Sequence, residues 1–245
     1  MLKALAKRAL RSVGIEVQKL RNANTEEAIL RNLLARLRPE VVLDVGANIG
    51  QFAQGVRGAG YTGRIISFEA LPDIHVELQK IASRDPQWTV APCAALGSER
   101  GSAQINVAGN VASSSLLPML PAHSTAAPES VYVRQHTVDV VRLDQLCAPM
   151  LPPSGDVYLK IDTQGYECEV LAGATAIMNR VSAMQLELSL IPLYGGAPLL
   201  IEMLQRVADM GYELFNFAPG FRDPRDGRLL QVDGFFVRSG KAGPR

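Results

Sequence analysis

The 245-residue chain is short of features that would mark a special environment. Its three cysteines, Cys93, Cys147 and Cys168, are odd in number and far apart, with no C-x-x-C pair. Neither a disulfide framework nor a zinc site is expected from them, and a reducing, cytoplasmic compartment is. No run of 18 apolar residues occurs, so no membrane-spanning segment is expected. The basic start lacks the uninterrupted apolar core of a signal peptide. A net charge of +1 gives no whole-molecule attraction to nucleic acid, which is not an expected partner. No internal repeat is visible. What remains is ordinary for a globular chain, 47% apolar and 20% charged, and long enough for one large domain.

The charge is unevenly spread. Residues 1–22 carry Lys3, Lys7, Arg8, Arg11, Lys19 and Arg21 against Glu16 alone, a net of +5. With Leu2, Leu5, Leu10, Val13 and Ile15 interspersed, this reads as a basic amphipathic helix. Such a helix either packs on the domain or lies on an anionic membrane surface. The expected organisation is a basic helical extension over 1–24 and one domain over 25–245.

From Asn24 onward a polar cap and two acids start a helix that Pro39 stops. An alternation follows. Strand 41–45 precedes a helix over 50–58, strand 64–68 a helix over 74–83, and strand 89–93 comes next. This is the rhythm of a parallel sheet. The stretch 101–143 reads as an antiparallel excursion with a mobile, gate-like loop at 109–130. The rhythm resumes with strand 156–161, a helix over 166–178, strand 184–190 and a helix over 199–210. Strands 212–217 and 231–238 form a hairpin-like last pair. Seven strands fit a three-layer α/β domain.

The stretch "VVLDVGANIG" at 41–50 ends a buried strand on Asp44 and runs into a glycine turn. Such a turn sets the next helix above the sheet edge, where backbone N–H groups face a ligand. Glu69 ends the second strand, where an acid receives the hydroxyls of a ribose. The glycine spacing is G-x-x-x-G rather than G-x-G-x-x-G, with Asn48 inside it. Asn tolerates the left-handed conformation. The pyrophosphate-hugging spacing of a dinucleotide site is absent. S-adenosylmethionine (SAM), which has no phosphate, fits better. Gly46, Ala47, Asn48 and Gly50 form its loop, Glu69 takes its ribose, and Asp44 is expected near its cationic end.

The segments "VVLDVGANIGQFA", "SFEALP", "AALGSERG", "SSSLL", "RLDQL", "LKIDTQGYECEVLAGA", "QLELSLIPLYGG" and "LLQVDGFFVR" occur in this order. From about residue 28 to 238 the chain resembles the FkbM-type SAM-dependent methyltransferases. The resemblance implies a Rossmann-like class I methyltransferase fold, with a seven-stranded, mostly parallel sheet whose last strand is antiparallel. It also implies O-methylation, often of sugars or polyketide-derived alcohols in bacterial natural products and glycolipids. Ala95, in "AALGSERG", joins the cofactor set. One departure is Gln164, where the family often has Glu in KID-x-EG-x-E; Glu167 keeps the second acid.

An alcohol is a weak nucleophile, so methyl transfer to it gains from positioning and from a base. Asp162 ends a strand at the sheet edge where ligands bind, or else caps the next helix. Glu187 is an acid in an apolar strand and needs a partner or a purpose. His136 has a suitable pKa for a base, although a strand histidine is often only a surface residue. Tyr194 and its "YGG" turn are expected to line the acceptor pocket. Lys160 shares a strand face with Asp162 and is a salt-bridge candidate. A divalent metal on Asp162 and Glu187 is conceivable but not favoured. The acceptor is expected to be a small molecule or a glycolipid. Two other readings stay open. An NAD(P)-dependent oxidoreductase is opposed by the glycine spacing and by the absence of a Tyr-x-x-x-Lys dyad. A non-catalytic SAM-binding protein is separated only by activity. Oligomeric state is not legible.

Overall fold

The computed structural model describes Ser12 and residues 25–240. The basic extension over 1–24 lies, apart from Ser12, outside the described residues. In chain order the elements are α1 (Glu26–Leu37), β1 (Val41–Val45), α2 (Gln51–Gly58), β2 (Arg64–Phe68), α3 (Pro72–Ala82), β3 (Trp88–Val90), β4 (Ala95–Leu96) and β5 (Gly101–Ala108). There follow α4 (Pro121–Ala126), β6 (Tyr132–Val141), α5 (Leu143–Cys147), β7 (Val157–Ile161), α6 (Glu167–Ala172), β8 (Val181–Ser189), α7 (Leu200–Asp209), β9 (Tyr212–Pro219) and β10 (Gln231–Arg238).

Seven strands form one sheet in the order β3-β2-β1-β7-β8-β10-β9. Neighbours pair in parallel from β3 to β8, and β10 runs antiparallel to both β8 and β9. The strands at the centre are buried on both faces, which is why they read as continuous apolar runs. In β1, Val41, Leu43 and Val45 pack on one side against Leu143 of α5, Val170 of α6 and Val207 of α7. Val42 packs on the other side with Leu33 of α1, Ala53 of α2 and Leu78 of α3. These are the three layers expected from the alternation. Each fully buried Leu or Val contributes about 1.5–3 kcal/mol.

Local signals agree with the helix starts. Thr25 caps α1, its hydroxyl accepting from the Ala28 N–H at 3.3 Å, with Glu26 and Glu27 in the first turn. Acids there favour the positive end of the helix. The expected helix over 166–178 is two pieces instead. α6 ends at Ala172 with Gly173 as its cap, and a 3₁₀ turn covers Thr175–Arg180.

The segment 109–130, expected as a mobile loop, is packed. Asn106 and Ser115 exchange backbone hydrogen bonds, and the Leu120 N–H donates to Leu193 O at 2.9 Å. Its α4 buries His123 against Tyr194 and Phe221, with ring centroids 5.1 and 5.0 Å away. Backbone groups satisfied in this way do not need to stay in solvent. β4, β6 and β5 form a separate three-stranded sheet beside this segment.

Candidate active site

The carboxyl ends of β1, β2, β7 and β8 converge on two cavities. The first has about 660 Å³ of free space, counting its open mouth, and the second about 1030 Å³. Gly46, Asn48, Ala112 and Asp162 line both, so the two meet there.

The glycine turn makes the first cavity possible. Gly46 has φ +71, and a Cβ on it would lie 1.8 Å from Asp162 O. The turn therefore presses against the end of β7, and no other residue fits. Asn48 adopts φ +49, as its type tolerates. Its backbone N–H donates to Glu69 Oε2 at 2.9 Å, while the Leu71 N–H donates to Oε1 at 2.8 Å. Glu69 is 8% exposed. Burial pushes its pKa up, and the Leu71 and Asn48 N–H groups pull it back. Its carboxylate is thus fixed, with lone pairs left for a diol. Phe68, Leu71, Ala95, Leu96 and Ile105 wall the rest of the cavity. An apolar slot with one fixed carboxylate suits an adenine ring and its ribose, so the residues present fit the adenosine part of SAM.

Two residues expected at the cofactor are not at its surface. Asp44 is 0% exposed and lines neither cavity. The sheet register sets it beside Lys160 and Ser67. Ser67 Oγ donates to it at 3.1 Å, and Lys160 Nζ stands 3.4 Å away. Burial raises its pKa, opposed mainly by Lys160. It answers a buried lysine rather than the cofactor's cationic end. Gly50 is a packing position, since a Cβ there would come within 2.6 Å of the Trp88 ring. Ala47 and Asn48 line the second cavity.

Lys160, 6% exposed, is held by its neighbours. Nζ reaches Gly46 O at 3.3 Å, Val45 O at 3.4 Å and Asp162 Oδ2 at 3.5 Å. Burial lowers its pKa, but Asp162 and Asp44 more than offset this and the net shift is upward. A lysine clamped in this way stays charged and ties the glycine turn to β7. Removing one partner of a buried pair costs about 3–5 kcal/mol.

The second cavity is acidic. Glu26, Glu27, Asp162, Glu187 and Asp233 line it, and Lys160 is its one cation among the described residues. Glu187 and Asp233 face each other across the antiparallel pair of β8 and β10. Burial first, then the charges of Asp162, Glu167 and Asp233, push Glu187 well above the usual carboxylate range. Asp233 is pushed up to about 7 by burial, Glu26 and Asp162. Gln164 Nε2 donates to Asp162 Oδ1 at 2.8 Å and to Glu187 Oε2 at 2.7 Å. The structure thus brings Asp162 and Glu187 together. Glu167 instead turns inward and accepts from the Thr163 and Gly165 N–H groups at 2.9 and 3.1 Å.

His136 is not brought to either cavity. It sits half-buried in β6, opposite Ile105, and lines neither space. Tyr194 is buried and lines neither cavity, and its hydroxyl donates to Gln164 Oε1 at 2.6 Å. Asp233 and Glu26 were missed in the sequence. Asp233 carries the same signal as Glu187, a lone acid in an apolar strand. Among the described residues no group of three or more His, Cys, Asp or Glu side chains is arranged to hold a metal ion.

A three-layer fold of this strand order, with the last strands antiparallel, is the Rossmann-like class I methyltransferase fold. The methyltransferase FkbM domain matches residues 44–214, well over half of the chain, and the chain belongs to that family. It transfers a methyl group, with SAM as the cofactor. No curated protein is significantly similar to it in sequence. Solved structures that are similar include the 1,6-didemethyltoxoflavin-N1-methyltransferase of Burkholderia thailandensis, at 12% identity and a TM-score of 0.45, covering 96% of this chain and 84% of that one. The precorrin-6y C5,15-methyltransferase of Geobacter metallireducens is another, at 13% identity and a TM-score of 0.42, covering 91% and 92%.

Proposed function

We propose that the protein methylates a hydroxyl group of a sugar, carried on a glycolipid or a secondary metabolite, with Glu187 as general base. The observation that supports this is the unequal state of the two central carboxylates. Asp162 has Oδ1 on Gln164 and Oδ2 beside Lys160. Glu187 has Oε2 on Gln164, and its Oε1 has no hydrogen-bond partner among the described residues. Glu187 therefore has an oxygen free to take a proton, and a raised pKa that makes it a better base than an ordinary carboxylate.

When bound, SAM supplies a methyl group made electrophilic by its sulfonium. The chain's residues do the rest. Glu69 and the 46–48 turn set the adenosine end, and Asp162, which lines both cavities, is placed for the cationic aminoacid end. Glu187 Oε1 would take the proton that the acceptor hydroxyl gives up on methylation, and S-adenosylhomocysteine would leave as the by-product. Holding both partners in line supplies much of the acceleration. A cavity whose one cation among the described residues is already engaged disfavours phosphate or carboxylate acceptors and suits polyols or amino-bearing sugars.

The test is an assay with methyl-labelled SAM against deoxysugar glycolipids and free glycosides, followed by linkage analysis of the product. An O-methyl sugar is expected; label found only on nitrogen or carbon would overturn the reading. The basic segment 1–22 extends the proposal to a cytoplasmic enzyme held at an anionic membrane face, where a glycolipid acceptor resides. Binding to anionic vesicles that weakens with salt is then expected of the full chain, and indifference to such vesicles would remove this part. No helix among the described residues is long and apolar enough to cross a membrane.

A further inference from the structure

Gln164 sits between two carboxylates of the second cavity, and its surroundings make the amide useful. It is 9% exposed and holds φ +56, a left-handed backbone uncommon outside Gly and Asn. Strain of this kind persists where the surroundings over-determine it, and it gathers at functional sites. Here Ser115 Oγ holds the Gln164 carbonyl at 2.8 Å, and Tyr194 holds the side-chain Oε1 at 2.6 Å. Tyr194 is itself buried, and its hydroxyl also lies 3.2 Å from Ser113 O.

The chemistry of the amide then settles what faces what. A primary amide has two N–H donors on one side and one carbonyl acceptor on the other. Both donors of Gln164 go to carboxylate oxygens, one on Asp162 and one on Glu187. The reverse orientation would aim Oε1 at two carboxylates and fails as soon as either is ionised. The two bonded oxygens therefore act as acceptors, and among the described residues Glu187 Oε1 is the oxygen of the pair that no hydrogen-bond donor holds. A glutamate at 164 would put a third carboxyl against these two.

We propose that Gln164 is a positioning residue for methyl transfer: a neutral clamp, anchored by Tyr194, that orients Asp162 and Glu187 and leaves Glu187 Oε1 as the oxygen that receives the acceptor's proton. This rests on the reading of Glu187 as base. The charged groups that act most strongly on Glu187 are Asp162 and Lys160 at the end of β7, Glu167 at the start of α6 and Asp233 on β10. All three acids disfavour its ionised form; Lys160 and the Gln164 amide favour it.

The test reads Glu187 directly. In full-length protein labelled with ¹³C at the Glu side-chain carboxyl and saturated with S-adenosylhomocysteine, the Glu187 resonance is assigned by its loss in Glu187→Gln. Its titration is followed by NMR in wild type, Gln164→Met and Gln164→Glu. Gln164→Met removes both donors at similar volume, so the Glu187 midpoint moves up by roughly one unit or more. Gln164→Glu moves it at least as far. Tyr194→Phe removes only the anchor and moves it upward by less, which keeps the test open if substitution of Gln164 prevents folding. In the acceptor assay the acid limb of kcat follows the same shifts, whereas loss of fold alone lowers the rate evenly across pH. A Glu187 midpoint unmoved in all folded variants overturns the clamp. Full methylation by Glu187→Gln would instead overturn the base assignment, whatever the Gln164 titrations show.

Discussion

The cavity at Glu69 is walled by apolar side chains and served by main-chain N–H groups, whereas the cavity at Glu187 is lined by carboxylates that other side chains hold. The first is made almost entirely by where the chain turns. Its hydrogen bonds come from groups every residue has, so a ligand is placed by the backbone. The second is made by side chains from α1, the end of β7, β8 and β10, and its charge state depends on how they balance. A common cofactor asks for the first kind of site and a particular acceptor for the second. The two therefore respond to different substitutions.

The largest separation is expected from Glu187→Gln. Loss of a general base lowers kcat by about 10²–10⁴-fold, while affinity for S-adenosylhomocysteine, measured by calorimetry, stays within about twofold because the amide keeps the volume. Next comes Gly50→Ala, which strikes the scaffold of the first cavity. Its φ is +85 and the added carbon meets Trp88. Overpacking costs about 1–3 kcal/mol and the strained backbone about 1 kcal/mol more, so chemical denaturation should show a loss of this size.

How much of this was legible follows the same division. The glycine turn and the place of Glu69 just after β2 could be read because each is a local signal: a turn needs its residue types, and a strand end has a predictable place. The seven strands were readable for the same reason, from apolar runs broken by turn residues. Asp44 was misread because burial beside Lys160 depends on a register between β1 and β7, strands more than a hundred residues apart. His136 was overvalued because its residue type suits a base, while its strand belongs to the second sheet. Tyr194 and Gln164 were not paired in the sequence, since their contact needs the 113–117 segment folded over both. The loop at 109–130 looked mobile from its Ser, Ala and Pro content, and its bridges to β5 and to Tyr194 leave no periodic trace.

A smaller effect, and one confined to the second cavity, is expected from pH. The unfolded Asp233 loses its proton near the ordinary carboxylate value, but in the fold its pKa is about 7. Between these values the folded state binds more protons than the unfolded one, so stability from this group falls as pH rises and levels off above about 7. Asp233→Asn should flatten that part of the dependence. The difference between wild-type and variant melting temperatures, followed from pH 4 to 8, isolates it from carboxylates such as Asp223, which Arg225 holds down to about 2. An unchanged difference across that range would mean that burial and the charges of Glu26 and Asp162 do not raise the pKa of Asp233.

The division between the two cavities is tested most directly by titrating S-adenosylhomocysteine into wild type, Glu69→Ala and Glu187→Gln by calorimetry, each first confirmed to melt cooperatively. Glu69→Ala should weaken binding by about 1.5–3 kcal/mol, the size of hydrogen bonds to a charged group, and Glu187→Gln should bind as wild type does. Unchanged affinity in Glu69→Ala, or an equal loss in both variants, would contradict the assignment of the cofactor to the Glu69 cavity.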